Sequence, residues 1–277
     1  PWPLFLPFLS LIAGDHPGSL PSYGPNVWVF KWAIWKQAMR DGVVWLDHWS
    51  LQFFAALLLG SLLLRKIDGR LGWAAAILLA GSIAMPRHIL GGDLAESRMI
   101  YSGLLVASLA LSWQAPRWLL WIAPALFLVR LGVTTGTWHR GSARTEQLLA
   151  ALDHLPRGAR VANLVFPNSG VWGYNAQEHI GGYAVLRKDV LINAHFAIPG
   201  VHMISTREGG PNFRDPSQRM LWRKGPIDLS NWEPAKDMDW LWYVGQREPD
   251  ALPPGAVIVY RAPGTLVARL AKVPGDS

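Results

Sequence analysis

Two stretches of this 277-residue chain concentrate side chains that could do chemistry. The first is Arg87-His88-Ile89-Leu90-Gly91-Gly92-Asp93-Leu94-Ala95-Glu96-Ser97-Arg98, which holds five ionisable groups in twelve residues between two apolar runs. Ionisable groups at membrane depth are expensive, so they point to function by default. Arg87 and Arg98 offer planar forks that donate paired hydrogen bonds to a phosphate. Asp93 or Glu96 suits a base or a metal ligand, and His88 completes this candidate substrate-binding set. The competing reading is a solvated loop that turns at Gly91-Gly92. The second stretch, Asn168 to Tyr183, mixes glycines with Trp172, Tyr174 and Tyr183, whose rings could stack on sugar faces while glycine lets backbone come close. Glu178 and His179 are its candidate polar contacts. As neighbours on a strand they would point to opposite faces and could not act together simply. Here the competing reading is an ordinary loop with aromatic packing. No catalytic residue and no metal ligand is assigned, because HExxH, GxSxG, P-loop and dinucleotide fingerprints are all absent. The lack of cysteine excludes disulfides, thiolate catalysis, Cys-bound zinc and iron–sulfur clusters.

The elements that would position these residues fall into two regimes. Up to residue 136 the apolar residues come in long runs; beyond it they come in short runs separated by charge. We expect a transmembrane helical domain over 1–136 and an extracytoplasmic soluble domain over 137–277. Trp45 to Leu64 reads as a full span. Leu71 to Met85, Met99 to Trp113 and Trp118 to Thr135 read as three more, and Pro1 to Ala13 as a partial one. Val27 to Arg40, with Trp28, Trp32 and Trp35 on one side and Lys31, Lys36 and Arg40 nearby, suits a helix lying in the membrane interface. Several of the 16 tryptophans sit at run ends, as expected where membrane meets water. Arg130 lies inside the last run, where it either snorkels to the surface or faces a polar cavity. Three basic residues in Arg65-Lys66-Ile67-Asp68-Gly69-Arg70 place that loop in the cytoplasm and the second half of the chain on the other side. The chain opens on Pro1-Trp2-Pro3 with no signal-peptide pattern and reads as a piece of a longer protein.

The net charge of +7 is shared between the halves, with ten basic against six acidic residues up to 136 and sixteen against thirteen beyond. No basic stripe forms, which argues against nucleic acid as a partner. Residues 137–155 place Leu148, Leu149, Leu152 and Leu155 on one helical face. Arg160–Phe166 reads as a buried strand, and further β-like runs are Tyr183–Leu186, Val190–Asn193, Trp240–Val244 and Ala256–Tyr260. The last pairs with Thr265–Ala271 as a hairpin. The expected architecture is therefore an α-helical transmembrane bundle of about four full spans plus a partial one, followed by a small soluble α/β or α+β domain.

Taken together, the runs, the loop GGDLAESRMIY and the passage LLAALDHLPRGARVANLVF resemble the carboxyl-terminal half of a bacterial polytopic glycosyltransferase of the GT-C type. HIGGYAVLRKDVLINAHF is similar to a stretch in membrane proteins of polysaccharide gene clusters. The resemblance implies a multi-pass protein of the bacterial inner membrane with its carboxyl-terminal domain in the periplasm. It further implies a polyprenyl-phosphate sugar as donor, often a divalent metal, and Arg87 and Arg98 as donor-phosphate contacts. The catalytic carboxylate of that class belongs to an amino-terminal half not present here. The alternative is a non-catalytic accessory subunit of a larger respiratory or photosynthetic membrane complex. Expected partners are the bilayer, a lipid-linked sugar and other membrane subunits.

Overall fold

The computed structural model describes residues 21–88, 94–114, 121–166, 177–193 and 225–271, which divide into two compact units, 21–135 and 136–271. The first contains α1 (Val27–Lys36), α2 (Val44–Leu63), α3 (Gly69–Ala84) and α4 (Ala95–Leu109). Helix α5 (Ile122–Leu149) carries the chain from the first unit into the second. Asp68 starts α3 by accepting hydrogen bonds from the N–H groups of Arg70 and Leu71. Met85-Pro86 ends it, since proline cannot continue a helix. Helices α3 and α4 then pack antiparallel, tied at one end where the Asp68 N–H donates to the Ala110 carbonyl at 2.8 Å. A Cβ at Gly103 would lie 2.6 Å from Leu79, so the bare glycine lets the two helices approach.

The four-span bundle does not form. At 1.5 Å per residue, the 16 residues of α3 and 15 of α4 rise about 24 and 22 Å, short of a hydrocarbon core roughly 30 Å thick. Helix α5 has 28 residues, but polar and charged side chains fill it from Thr134 onward. Among the described residues, only α2, with 20 residues, is long and apolar enough to cross a membrane. The apolar runs marked these helices within a few residues, but the runs behind α3 and α4 were no longer than the helices themselves and so fall short of a span. The expected partial span at 1–13 lies outside the described residues.

The helical unit has an inverted surface. Helix α2 exposes Trp45, Trp49, Phe53 and Leu63 while burying Asp47 and Ser61. Helix α1 exposes Trp28 and Trp32 and buries Lys31, and α4 exposes Tyr101, Leu105 and Leu109 and buries Glu96. A helix on a water-facing protein shows the opposite polarity, with charge outside and the apolar stripe inside.

The second unit is a five-stranded mixed sheet in the order β2-β1-β3-β5-β4. Its strands are β1 (Arg160–Phe166), β2 (Leu191–Ile192), β3 (Trp240–Gly245), β4 (Val257–Ala262) and β5 (Thr265–Arg269). Strand β1 runs parallel to β2 and β3, while β5 runs antiparallel to β3 and β4. Alternate residues face opposite sides of a strand, and here both sides are covered. Val161, Val165, Trp242, Val244 and Val267 meet Leu148 and Leu149 of α5 and Leu152 in the 3-10 turn Ala150–His154. Ala162, Leu164, Leu241, Tyr243 and Leu266 meet Ile227, Leu229 and Met238. Tyr183–Leu186, expected as strand, lies inside helix α6 (Gly181–Lys188). Ile180 and Ala184, four residues apart, are the pair that faces the core, and that spacing outweighs the strand preference of Tyr and Val.

Candidate functional site

Among the described residues, two buried carboxylates of the helical unit face a basic side chain. Arg130 on α5 donates through Nη2 to Asp47 Oδ1 at 2.8 Å and to the Met39 carbonyl at 2.5 Å, and through Nη1 to Ser50 Oγ at 3.1 Å. The other Asp47 oxygen accepts the Asp41 N–H at 2.8 Å, and the Thr134 hydroxyl donates to the Asp41 carboxylate. Arg130 therefore turns toward polar groups on a neighbouring helix: its guanidinium staples α5 to α2 and the α1–α2 turn. Asp47 is 1 % exposed, and a buried charge of that kind needs such partners.

The second pair is Lys31 with Glu96, 4.0 Å apart and 6 % and 1 % exposed. Lys31 Nζ donates to the carbonyls of Ser82 at 3.0 Å and Met85 at 2.6 Å, which end α3. A helix carboxyl end carries partial negative charge and favours a cation there. Glu96 sits in the first turn of α4, yet both of its carboxylate oxygens are buried without a hydrogen-bond donor.

An apolar groove of about 830 Å³ opens between α2 and the α3–α4 pair. Leu51, Phe54, Leu58 and Leu62 form one wall and Gly72, Ala76, Leu79, Leu104 and Ala107 the other, with Trp32 and Trp35 of α1 contributing. The lining includes just two charged residues, Lys36 and Arg65, and both are cations.

The residues singled out in the sequence do not converge. Asp93, Trp172 and Tyr174 lie outside the described residues. Arg87 is half-buried with its guanidinium 4.1 Å above the Phe30 ring, and His88 forms a backbone bridge with Ser22. Glu96 and Arg98 are two positions apart on α4, so Glu96 turns inward while Arg98 is exposed. Neither Arg87 nor Arg98 lines the groove. Glu178 and His179 occupy the turn before α6 rather than a strand, Glu178 half-buried and His179 exposed. Tyr183 lies under the Arg187 guanidinium at 5.6 Å, and Arg187 pairs with Glu146 at 3.0 Å.

Sequence reasoning missed Lys31 as the partner of Glu96, Asp47 as the partner of Arg130, and Lys36 and Arg65 as groove residues. One signal was available: Lys31 and Asp47 are lone charges inside strongly apolar runs, the mark of a helix whose polar face points inward.

In the second unit, Asn163 on the central strand β1 is fully buried. It donates through Nδ2 to the Trp242 carbonyl at 3.1 Å, and its backbone N–H donates to Asn193 Oδ1 at 2.8 Å. Burial pushes the Tyr243 hydroxyl up to about 12, and that hydroxyl donates to the Arg247 carbonyl at 2.5 Å. The Ser230 hydroxyl and N–H hold the exposed Asp228 carboxyl below its usual range. Both effects are structural, in a turn and a core.

No protein-family profile, no curated protein and no solved structure matches this chain. The chemistry of the groove and the buried pairs must carry the functional argument. A divalent metal, implied by the glycosyltransferase resemblance, does not fit the described residues. Among them no three His, Asp or Glu side chains come together, and the unpartnered Glu96 carboxylate faces an ammonium that would repel a cation.

Proposed function

We propose that this protein is a membrane-embedded, glycosyltransferase-like component of cell-surface polysaccharide or glycan assembly, and that its helical unit holds a polyprenyl-phosphate-linked sugar. On this reading the protein belongs to a bacterial inner membrane, with its second unit in the periplasm. The observation that carries it is the groove: about 830 Å³ of apolar lining whose charged residues, Lys36 and Arg65, are both basic. That volume is in the upper part of the range for small-ligand sites, roughly 300–1,000 Å³. A long hydrocarbon chain bearing a phosphate matches this lining in both respects, because apolar walls take the chain and an ammonium or guanidinium takes the anion. The inverted surface supports a lipid environment. Trp45, Trp49, Phe53 and Leu63 along α2 would each lose favourable transfer energy in water, on the order of 1.5–3 kcal/mol per fully exposed side chain.

The test is binding of polyprenyl phosphate to the full chain purified in mild detergent, with uncharged polyprenol as control. Binding should favour the phosphate. Ala55→Trp, which fills the groove from an exposed position, should weaken binding of both lipids at least tenfold. Lys36→Gln with Arg65→Gln should weaken the phosphate lipid alone. Equal affinity for phosphate and polyprenol, or indifference to Ala55→Trp, would refute the assignment. Stable co-migration with pigment- or haem-containing subunits would point instead to an accessory role.

A further inference from the structure

The two edges of the five-stranded sheet differ in how they are protected. Strand β2, at one edge, is two residues long, while β4, at the other, is six. An edge strand shows a row of unpaired backbone N–H and C=O groups, and proteins blunt such edges by keeping them short or by placing lysine, proline or inward charge on them. Its length blunts β2. In β4, Val257, Ile258 and Val259 are 64 %, 37 % and 46 % exposed, three consecutive β-branched side chains of strong strand preference. No lysine, acid or proline interrupts Val257–Ala262, and its single charge, Arg261, reaches back to Glu248 at 3.7 Å. A bulge takes Val259 out of register with β5, and among the described residues no strand lies beyond β4.

We infer that β4 is a docking edge for the β4 strand of a second copy of this chain, the two running antiparallel about a twofold axis near Val259. Edge geometry selects that occupant. Identical subunits that join through sheet edges either use one edge twice or set one edge against the other. The two residues of β2 cannot match the six of β4, so β4 against β4 remains, and that contact closes on itself. Charge selects it as well. Antiparallel pairing sets the neutral run Val257–Tyr260 against its own copy and keeps the two Arg261 side chains at opposite ends, each beside its own Glu248. A contact built on one strand is small, in the class below about 1,200 Å² that gives weak, reversible association. It is independent of what the groove binds.

The experiment follows the mass of the full chain in mild detergent by sedimentation equilibrium from about 1 to 100 µM, the range in which so small an interface should dissociate. Wild-type protein should pass from monomer to dimer across that range. Val259→Lys puts a charge at an exposed edge position and should raise the dimer dissociation constant roughly tenfold or more, with the circular dichroism spectrum unchanged. The chain has no cysteine, so Val259→Cys carries the sole thiol while nearly keeping the size of the side chain. Residues facing each other in an antiparallel pair have Cα atoms about 4.5–5.5 Å apart, within disulfide reach. Mild oxidation should therefore cross-link Val259→Cys and leave Leu186→Cys, at an exposed position on α6, uncross-linked. A protein that stays monomeric throughout overturns the inference. A dimer indifferent to Val259→Lys, or one that cross-links no better at Val259→Cys than at Leu186→Cys, overturns it too, by placing the contact elsewhere on the chain.

Discussion

Replacing Arg130 with methionine should destabilise the helical unit by about 3 kcal/mol. The substitution takes the guanidinium away from Asp47, which is 1 % exposed, while the hydrogen bond from the Asp41 N–H stays. Stripping one partner from a buried ion pair leaves an uncompensated charge and costs about 3–5 kcal/mol in general. Two features put this case at the lower end. Arg130 is itself 27 % exposed, so water already screens part of the attraction, and Asp47 keeps the Asp41 donor. Met39 and Ser50 lose a donor as well, a smaller effect at the edge of the pair. Exchanging both partners, Arg130→Met with Asp47→Leu, should recover most of the loss, because replacing a buried pair by apolar groups of similar size is often neutral. The assay is thermal unfolding of the full chain in mild detergent, followed by circular dichroism, on all four members of the double-mutant cycle. We expect a coupling of about 2–3 kcal/mol between the two positions. Single variants within about 0.5 kcal/mol of wild type, or a double variant equal to the sum of the singles, would refute the staple.

The second unit offers two further tests. Gly181→Ala places a methyl 2.7 Å from Asn163 Oδ1 and 3.0 Å from Ile192 Cδ1, and should lower stability by about 1–3 kcal/mol in denaturant titration. Gly182→Ala, with open space around it, should be neutral or slightly stabilising, and a similar loss at both positions would defeat the packing explanation. Tyr243 has its folded-state value raised to about 12, above the roughly 10 of an unfolded tyrosine, so its contribution is complete below pH 10 and fades as pH rises toward 12. Denaturation midpoints measured across that window should fall more for wild type than for Tyr243→Phe, which should itself lose about 1 kcal/mol at neutral pH with the Arg247 hydrogen bond.

Much of the second unit was legible in the residue order. The short, nearly continuous apolar runs in Arg160–Phe166 and Trp240–Gly245, the glycine turn between β4 and β5, and the leucines at 148, 149, 152 and 155 are local patterns, and local patterns report burial directly. The amino-terminal apolar runs likewise marked the helices and the loops between them, but the runs behind α3 and α4 are too short to rise through a bilayer. Of the four expected spans, only α2 is both long and apolar enough among the described residues: α3 and α4 are too short and α5 is too polar in its second half. Single-residue spacing also gave no hint that Gly181–Lys188 would coil, since what decides it is the sheet face that Ile180 and Ala184 must cover. The candidate site belongs wholly to the folded arrangement. Arg130 and Asp47 lie 83 positions apart, Lys31 meets Glu96 from a different helix, and the groove exists only because α2 stands apart from the α3–α4 pair. The sequence by itself determined that the first half is built of apolar runs with a few charges inside them. Which charge meets which was decided by packing, because an inward-facing ion in an apolar helix must find its counter-ion on whichever neighbour the turns bring alongside.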